Sequence, residues 1–594
     1  MAPTLNNNSP ISLVENLNAA AMLSATDDQD SVGNGLTFSI YGGADGGLFS
    51  LDALTGDLRF VSAPDYENPA DADQDNIYDV IVRVTDSQGL YSDTSLAVQV
   101  TDQPNLQLVF TGGQSLSMGI TNNPSTLSST PQFPADVLGL DFTNIAPNVG
   151  WQSGAVNPSA FNGFTPLVET GSETPVSGMM SMLEHEYQVS GLTAPTFVHV
   201  NTGAAGKSIL QLATSQDDIF SSYNNALQNT NAGDIFAVDL NNGSYGFYVR
   251  TATGADFYSN NPGPLVYYDN LVEQMQIAVD YGRLQGYEIA PTVVLNWIQG
   301  QNDYKIDTTT AGRDGFGYTY ALGQLFDHIE AAAEQIIGPD TNLVGVVSQV
   351  RGSADKAIAI DQLNYIYNDP HVAFGAPEYQ FGAEFPALVD NAYDHLSPEG
   401  YYMFGQTIGA KMFDLLTGHE NQPIDMDNVR QISTTSVLVH FSGVDTYLVD
   451  DPSIYRAGND IHAPSNMGFA VYSSSGSALT NGLQISNVTI VGADTVRVDF
   501  NMALTSAFRL YLGRSDEALG TYASGALAGF GGTTLRDASV QAALPSPDGV
   551  ALSDPYIYEY APGQYFAVAR NTAAVVTSIK AVTAAENSAF AVDV

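Results

Sequence analysis

The stretch LQLVFTGGQSLSMG, residues 106–119, decides how the middle of the chain is interpreted. Its first residues are mostly apolar, as expected of a strand that is buried on both faces of a parallel sheet. Similar apolar runs follow at PTFVHVN (195–201), PTVVLNW (291–297) and NLVGVVSQV (342–350). Helix-like stretches separate or follow these runs, at 177–188, 267–286, 319–338 and 398–418. This alternation of strands and helices predicts an α/β domain with a parallel sheet over 104–420.

The two flanking parts have a different pattern. Residues 1–103 contain short runs with period-two alternation, separated by Gly, Asp and Asn, which predicts an all-β sandwich. Residues 421–594 lack helical periodicity and predict a β-rich accessory domain. Three roles are open for this domain: glycan binding, oligomerisation, and completion of the core of the middle domain. The fold class expected is therefore multidomain, with all-β parts on either side of an α/β domain.

The amino-acid composition limits the kinds of molecule that the protein is expected to bind. The chain has 594 residues, with 64 acidic and 18 basic side chains and a formal net charge of −46. Such a charge disfavours nucleic acid and anionic membranes and favours divalent cations. The absence of cysteine excludes disulfides and thiol catalysis. No window approaches the ~20 apolar residues of a membrane span.

The beginning of the sequence bears on where the protein works. It lacks the basic first region and compact apolar core of a cleavable signal peptide. Together with the charge and the missing cysteines, this leads us to expect an extracellular, cell-surface or virion protein. We expect neither a nucleic-acid partner nor membrane insertion, while an oligomer or surface assembly is compatible with the sequence.

Ser115 follows the first buried strand, at the sheet edge where open α/β sheets bind their ligands. An acyl-transfer serine needs a base and donors for the oxyanion. NTGAAGKSI (201–209) offers the backbone N–H of Gly206, and NWIQGQNDY (296–304) offers the side-chain amide of Asn302. DNAYDHLSPEG (390–400) offers His395, just before a helix cap. All four stretches lie where strands end or helices begin, on one rim of a parallel sheet.

In the order Ser, Gly, Asn, His, these stretches resemble the SGNH hydrolase superfamily, the GDSL-type esterases. GQS and WIQGQND are similar to its sialate O-acetylesterase and carbohydrate-acetylesterase branch, and the resemblance covers 106–416. It implies a flavodoxin-like domain with Ser115 as nucleophile and His395 as base. The N–H groups of Ser115 and Gly206 and the side chain of Asn302 would form the oxyanion hole, without a catalytic metal. The implied activity is that of a serine esterase removing O-acetyl groups from a glycan or polysaccharide.

One position departs from the family pattern. The aspartate usually found three residues before the histidine is replaced here by Ala392. Asp390, Asp394 or a backbone carbonyl are the open candidates for orienting His395, and Asp390 is preferred. In a serine triad, a histidine that is no longer oriented lowers the turnover number about 10⁴-fold. An alternative therefore stays open: a structural or adhesive surface or virus-tail protein whose hydrolase-like domain binds glycan without efficient catalysis.

Acidic residues gather near the strand ends of the first domain. Calcium takes six to eight oxygen ligands, which carboxylates and carbonyls supply. The pattern, with a Glu-Asn start, DYE, D…DN-x-Y and TD, resembles a cadherin-like repeat of the bacterial type. That resemblance implies structural Ca²⁺ bound through Glu15, Asp65, Glu67 and Asp102; the other reading is solvated turn acids. The further candidates of this domain are Asp27, Asp28, Asp30, Asp71, Asp73, Asp75, Asn76 and Asp86.

Aromatic residues are frequent in the segment 244–268, SYGFYVRTATGADFYSNNPGPLVYY. Their rings could stack on sugars or pack the segment onto the domain. No long apolar lid of the lipase kind is present, which favours a short acyl group such as acetyl. An acetylated glycan or polysaccharide is therefore the expected partner.

Overall fold

The computed structural model describes most of the chain. Residues 1–568 are described except 8, 67, 120–124, 144–154, 233, 251–253, 263–265, 301–302, 304–315, 351–355, 383–394, 420–421, 455–463, 516–520, 523–524, 527–528, 531–532, 554–555 and 563. The described residues form two compact units: a smaller unit of Met1–Asn105 with Arg283–Glu288, and a larger unit of Leu106–Gly282 with Ile289–Val594. The division at 103/104 and 420/421 stays a prediction.

The smaller unit is built from short strands. A five-stranded sheet has the order β2-β10-β9-β6-β5, and a three-stranded sheet has the order β3-β8-β7. The strands are β1 Thr4–Leu5, β2 Ile11–Val14, β3 Ala19–Met22, β4 Ala25–Thr26, β5 Ser31–Val32, β6 Gly35–Gly42, β7 Phe49–Leu51, β8 Asp57–Phe60, β9 Ile77–Thr85 and β10 Tyr91–Thr101.

Both sheets of the smaller unit contribute to one core. Alternate residues of β9, from Tyr78 to Val84, are buried, while the residues between them face outward. This is the period-two pattern of a half-buried strand. Phe49 and Phe60 of the three-stranded sheet pack on Tyr78, with the Phe60 and Tyr78 ring centres 5.0 Å apart. The two sheets therefore enclose a shared apolar layer, as the sequence pattern predicts.

The larger unit is organised around an eight-stranded sheet. Its main path is β13-β12-β14-β11-β20-β21-β22, and β19 pairs with β11. The strands from here to β22 are β11 Asn105–Gly113, β12 Val137–Phe142, β13 Phe161–Pro166, β14 Thr196–Asn201, β15 Ile219–Phe220, β16 Ile235–Asp239, β17 Ser244–Arg250, β18 Ala255–Pro262, β19 Glu288–Ile289, β20 Thr292–Ile298, β21 Asn342–Gln349 and β22 Val372–Pro377.

The four apolar runs of the sequence are neighbouring strands of this sheet. β11 lies between β14 and β20, and β20 pairs with β21, all in parallel. β22 continues the parallel pairing at one edge, whereas β13 is antiparallel to β12 at the other. The strand that leads to Ser115 is therefore central, and its carboxyl end shares a rim with those of β14 and β20.

Eight helices are assigned among the described residues. The long ones cover the helix-like stretches of the sequence. They are α1 Pro175–Ser190, α2 Ile209–Ala213, α3 Tyr223–Asn229, α4 Tyr267–Leu284, α5 Phe316–Ile336, α6 Lys356–Asn368, α7 Tyr379–Gly382 and α8 Pro398–Thr417. The sequence analysis did not predict α6 or the edge strand β22. No helix in the described ranges combines the length and apolarity needed to cross a membrane.

The carboxyl-terminal part is β-rich. Two sheets, β23-β24-β28-β27 and β26-β29-β37, enclose a separate apolar cluster. The strands are β23 Asp425–Ser433, β24 Ser436–Ser442, β25 Leu448–Asp450, β26 Phe469–Ser473, β27 Ile485–Ile490, β28 Thr495–Phe500, β29 Phe508–Leu512, β30 Arg514–Ser515, β31 Thr521–Tyr522, β32 Gly525–Ala526, β33 Gly529–Phe530, β34 Leu535–Asp537, β35 Gln541–Ala542, β36 Tyr556–Ile557 and β37 Gln564–Val568.

A segment of this part packs along α8; its described residues, 539–553 and 556–560, are called the C-terminal arm. Leu544 and Ile557 belong to the same apolar cluster as the residues of α1 and α8. The buried side chain of Gln406 accepts from the Leu544 N–H at 2.6 Å and donates to the Leu544 carbonyl at 3.2 Å. The Tyr402 hydroxyl donates to the Pro545 carbonyl at 3.0 Å. The arm thus completes the core of the α/β part of the larger unit.

Candidate active site

Ser115 begins a one-turn 3₁₀ helix, Ser115–Met118, directly after the central strand β11. The turn is fixed to the next strand, because the Gln114 N–H donates to the Ile298 carbonyl at 3.1 Å. Gly113 has φ +135°, and a Cβ on it would lie 1.9 Å from the Ile298 oxygen, so only glycine fits there. Ser115 itself is partly buried. The predicted nucleophile therefore stands at the carboxyl end of the central strand.

The loop that carries Gly206 is tied to the same strand end. The Thr202 N–H donates to the Thr111 carbonyl at 2.8 Å, and the Ala204 N–H donates to the Gly113 carbonyl at 2.9 Å. The Asn201 side chain donates to the Ser117 carbonyl at 3.1 Å. Gly206 is exposed and has φ +71°, with open space where a Cβ would stand. The structure thus brings the loop of Gly206 and the turn of Ser115 to the same strand end.

The WIQGQND stretch forms a buried polar network behind this loop. Gln299 is fully buried and donates to the Lys207 carbonyl at 3.1 Å and to the Asp303 carboxylate. Asp303 accepts the Ile209 N–H at 3.1 Å, at the first turn of α2. The Tyr318 hydroxyl lies 2.9 Å from both oxygens of Gln299 and accepts from the Trp297 indole at 3.1 Å. Asn302 lies outside the described residues.

Gln299 and Asp303 were not predicted as functional. Both are buried and bind the segment that follows Gly206, so they are positioning residues for that loop. The sequence does offer one indication of their role. Both residues come directly after an apolar strand, and an amide or carboxylate that is buried there needs hydrogen-bond partners.

His395 lies two residues before Ser397, whose hydroxyl accepts the Gly400 N–H at 3.0 Å and caps α8. The histidine is partly buried. Leu396 beside it and Leu116 beside Ser115 belong to one apolar cluster, together with Ile298. The two stretches are therefore anchored in the same core. Asp390 and Asp394, the two side-chain candidates for orienting His395, lie outside the described residues, as does Ala392.

A polar layer lies within the strands beneath the rim. His199 of β14, Thr111 of β11 and Asn296 of β20 are all fully buried on neighbouring strands. The His199 Nε2 is 2.9 Å from the Thr111 Oγ1, and the Asn296 amide donates to that oxygen at 3.3 Å. Burial lowers the pKa of His199 to about 3, so this histidine is neutral near pH 7.

Two buried carboxyl groups, Glu169 and Glu173, belong to the segment that approaches Gly119 at the end of the nucleophile turn. Glu173 accepts the Leu127 N–H at 2.6 Å and the Ser128 hydroxyl at 2.7 Å. Glu169 accepts the Thr174 hydroxyl at 2.6 Å. Burial raises the pKa of Glu173 to about 7; burial and the charge of Glu173 raise that of Glu169 well above its usual range. This buried acidic pair was not predicted.

The acids of the smaller unit are partly brought together. Glu15 is buried and accepts the N–H groups of Tyr66 at 2.7 Å and Gln103 at 3.0 Å. Desolvation and the charge of Glu15 raise the pKa of Asp102. Desolvation and the charges of Glu15 and Asp65 raise the pKa of Glu288, which was not predicted and belongs to the Arg283–Glu288 segment of this unit.

Two further points concern the acids of this unit. Among the described residues, Asp71, Asp73 and Asp75 form a group of three whose carboxylate oxygens all lie within 4.8 Å of one another. Glu67 lies outside the described residues. The crowding around Glu15 is nevertheless the electrostatic setting that a cation would relieve.

The aromatic segment 244–268 contains the hairpin of β17 and β18. Phe247 is fully buried, and the ring of Tyr248 stacks on that of Phe236 with centres 5.2 Å apart. These two rings therefore pack the segment onto its own sheet. These contacts fit the packing interpretation; sugar stacking by this segment stays a prediction.

Comparison with known proteins gives only distant likenesses. No family model matches the chain, and no curated protein does. A carbohydrate acetylesterase from Xanthomonas citri is 11% identical, with a TM-score of 0.40, over 95% of this chain and 99% of that one. A mouse clustered protocadherin fragment (PcdhgC3 EC1-3) is 21% identical over 17% of this chain and 33% of that one, with a TM-score of 0.15.

A mouse cadherin-23 fragment (EC22-24) is 14% identical over 20% of this chain and 41% of that one, with a TM-score of 0.15. The matched part spans less than half of each cadherin fragment. Likenesses of this size carry no weight for the activity, which has to be inferred from the residues of the site.

Proposed function

We propose that the chain is a serine carboxylic-ester hydrolase of the SGNH type that removes O-acetyl groups from a glycan or polysaccharide. The observation that carries the proposal is the position of Ser115 at the end of the central parallel strand, with the Gly206 loop hydrogen-bonded to that same strand end. A serine at that strand end, next to a loop that can offer backbone N–H groups, supports acyl transfer, which requires a hydroxyl close to oxyanion donors.

Each group has a defined task in this reaction. The Ser115 oxygen attacks the ester carbonyl carbon while His395 takes the hydroxyl proton. The N–H groups of Ser115 and Gly206 and the Asn302 amide stabilise the charge on the carbonyl oxygen. His395 returns the proton to the leaving sugar oxygen, and water then hydrolyses the acyl-enzyme. Asp390 is the preferred partner for His395, with Asp394 or a backbone carbonyl as the alternatives.

Hydrolysis of p-nitrophenyl acetate tests the reaction. We expect Ser115→Ala to reduce kcat/KM by about 10³-fold or more, because removal of a triad member leaves only binding and oxyanion stabilisation. Ser159→Ala is the matched control, since Ser159 is exposed and lies outside the site. Equal activity of wild type and Ser115→Ala would contradict the enzyme and favour the glycan-binding alternative.

The position of the nucleophile is tested separately with a fluorophosphonate. Its phosphorus forms a bond to the serine oxygen as fluoride leaves, and the serine proton passes to the base. Peptide mass mapping should place the adduct on Ser115 and remove it in Ser115→Ala. Labelling at another serine would reject Ser115 as the nucleophile even if the chain hydrolyses esters.

We also propose that the smaller unit binds structural Ca²⁺ through Glu15, Asp65, Glu67 and Asp102. The support is the crowding of negative charge that raises the pKa values of Asp102 and Glu288 around buried Glu15. Carboxylate oxygens are the ligands that Ca²⁺ prefers. Weak sites of this kind fill where calcium is millimolar, which supports an extracellular, cell-surface or virion location.

Thermal unfolding of the full chain tests the calcium proposal. Binding to the folded state stabilises it by about 2.7 kcal/mol at a hundredfold excess over Kd. We expect Ca²⁺ to protect peptides around 60–70 and 98–104 from hydrogen exchange and to raise the melting temperature. Asp102→Asn should weaken both effects, whereas Asp79→Asn, at an exposed acid of the same unit, should not. Identical protection in EDTA and Ca²⁺ would reject the site.

A further inference from the structure

The side chain of Asn201 binds both the nucleophile turn, Ser115–Met118, and the Gly206 loop, residues 202–208. Asn201 is the last residue of β14 and is 3% exposed. Its amide nitrogen donates to the Ser117 carbonyl at 3.1 Å, and its amide oxygen accepts the Gly203 N–H at 2.9 Å. Because a carbonyl only accepts and an N–H only donates, the orientation of the amide is fixed. One planar group therefore holds a residue of the turn and a residue of the loop.

The turn needs this bond at its carboxyl end. Carbonyl groups in the last turn of a helix have no partner within the helix. The Gly119 N–H, which closes the nucleophile turn, donates to the carbonyls of two other residues of the turn and not to that of Ser117. The Asn201 amide supplies the missing donor and so fixes the end of the turn that carries the Ser115 hydroxyl.

The loop is packed against the turn at the same point. A Cβ on Gly203 would lie 2.1 Å from the Ser117 hydroxyl oxygen and 3.2 Å from the amide oxygen of Asn201. The backbone of the loop therefore approaches the turn so closely that only glycine fits there. The hydroxyl of Ser117 is itself bound within the turn, because it donates to the Gln114 carbonyl at 2.6 Å. A displacement of the turn is thus passed on to the loop.

Two donors of the proposed oxyanion hole come from these two segments. The Ser115 N–H belongs to the turn and the Gly206 N–H to the loop, and both have to point at one oxygen atom. Such donors have to lie ~2.7–3.1 Å from the position of the oxyanion. A displacement of about 1 Å can lower the rate of an enzyme about 10²-fold. A side chain that joins the turn to the loop therefore controls how well the two donors are aligned.

We propose that Asn201 is a positioning residue of the hydrolase, which fixes the nucleophile turn against the Gly206 loop and so aligns the oxyanion donors. The proposal rests on the proposed function, because this alignment matters only if Ser115 attacks an ester. Asn201 acts through the turn and the loop and not on the substrate. Its role also differs from that of Asp303, which holds the segment after Gly206 by accepting the N–H of Ile209.

The kinetics of p-nitrophenyl acetate hydrolysis test this role. Asn201→Leu keeps the approximate size of the side chain and removes both hydrogen bonds. We expect kcat to fall about 10²-fold while KM stays within about twofold, because misaligned donors weaken binding of the transition state and not of the substrate. Asn224→Leu makes the same change at an exposed amide of α3 and should behave like the wild type. An unchanged kcat in Asn201→Leu, or a higher KM with an unchanged kcat, would overturn the proposal.

A second variant tests the bond to the turn separately. Asn201→Asp keeps an acceptor for the Gly203 N–H, but its ionised form has no donor for the Ser117 carbonyl. Burial raises the pKa of a carboxyl group, and the protonated form regains an O–H donor. The ratio of variant to wild-type kcat/KM should therefore rise at least about tenfold from pH 8.5 to pH 5.5. The ratio for Asn201→Leu should stay constant; a low ratio for Asn201→Asp that does not change with pH would overturn the proposal.

The titratable groups around Asn201 do not obscure this ratio. The nucleophile turn and β11 contain none, whereas β12 contains Asp141, β14 contains His199 and the Gly206 loop contains Lys207. His199 stays neutral over the pH range of the assay, because burial lowers its pKa to about 3. Glu173, whose carbonyl approaches the end of the turn, and the proposed base His395 are present in both proteins, so their titration cancels in the ratio.

Hydrogen exchange and the Ser115→Ala variant separate this proposal from the proposed function. In Asn201→Leu, peptides covering 112–119 and 202–208 should exchange faster than in the wild type, while peptides covering 425–442 should not. Faster exchange in every peptide would show a general loss of stability and would overturn the local role. Wild-type activity no higher than that of Ser115→Ala would reject the esterase and the role of Asn201 with it. Full activity in Asn201→Leu would reject the role of Asn201 and leave the esterase standing.

Discussion

Two buried carboxyl sites near the nucleophile turn are built in opposite ways. In one, Asp303 accepts the N–H of Ile209 and the amide of Gln299. In the other, Glu169 and Glu173 accept hydroxyl and N–H groups, and burial raises the pKa values of both, with the charge of Glu173 adding to the shift of Glu169. Both sites hold polypeptide by hydrogen bonds, and the second also brings two acidic groups together.

The two sites show two different roles of a buried carboxyl group. A carboxylate that accepts N–H groups from one loop fixes that loop, because each bond to a charged acceptor is stronger than a neutral one. Two carboxyl groups that repel each other stay partly protonated, so their contacts change with pH. We therefore expect the Asp303 side to govern the geometry of the site, and the Glu169–Glu173 side to govern its response to pH.

Asp303→Asn should produce the larger loss. The new amide keeps one acceptor oxygen but replaces the other with an NH₂ group and removes the charge, so a buried N–H of Ile209 or Gln299 loses its acceptor, which costs about 3 kcal/mol of unfolding free energy. Displacement of the Gly206 loop should reduce kcat/KM by about 10²-fold, the effect of losing an oxyanion donor. Denaturant unfolding and ester hydrolysis measure the two effects. Asp340→Asn, at an exposed acid, is the control; equal behaviour of the two variants would reject the positioning role of Asp303.

Glu173→Gln should change the pH dependence of stability. The folded-state pKa of about 7 exceeds the ordinary value of 4.5, so the protonated form is favoured on folding. This contribution is fully present below pH 4.5 and is lost as pH rises through 7, by about 3 kcal/mol. The variant should be less sensitive over that window, which urea unfolding at pH 5 and pH 8 measures.

Glu273→Gln, at an exposed acid of α4, is the control for this comparison. It should keep the wild-type dependence on pH. A Glu173→Gln variant that loses as much stability as the wild type between pH 5 and pH 8 would show that Glu173 titrates normally, and the contrast with Asp303 would fail.

Ser128→Ala should have the smallest effect. It removes one hydroxyl donor from Glu173, which costs about 1 kcal/mol and raises the pKa of that carboxyl further. The stability loss should therefore be larger at pH 8 than at pH 5. Ser125→Ala is the matched control because the Ser125 side chain is exposed. A loss that is the same at both pH values would mean that the hydroxyl does not act on the carboxylate.

Much of the α/β part could be predicted from the chain alone. Apolar runs such as PTVVLNW are buried on both faces and leave no alternation, and the long helices follow their apolar periodicity. β22 and α6 were missed, although VAFGAP at Val372–Pro377 is as apolar as the other strands. Short apolar runs that contain Gly and Pro resemble loops, and only pairing with β21 makes this one a strand.

The residues of the candidate site also fall into two groups, those that the sequence indicates and those that it does not. Ser115, Gly206 and His395 could be singled out because strand ends and helix caps are local features of the sequence. Gln299, Asp303 and the pair Glu169 and Glu173 could not, because their roles depend on burial and on partners that come from other parts of the chain. Calcium binding and the catalytic roles stay predictions that the experiments above address.

The sequence by itself determined the strand–helix order, the strand that ends at Ser115 and the large negative charge, because periodicity and composition act over a few residues at a time. Only the tertiary structure decided that Gln406 binds Leu544 and that the C-terminal arm packs along α8. Those contacts join residues more than a hundred positions apart, and their free energy comes from burying surfaces that no local pattern pairs.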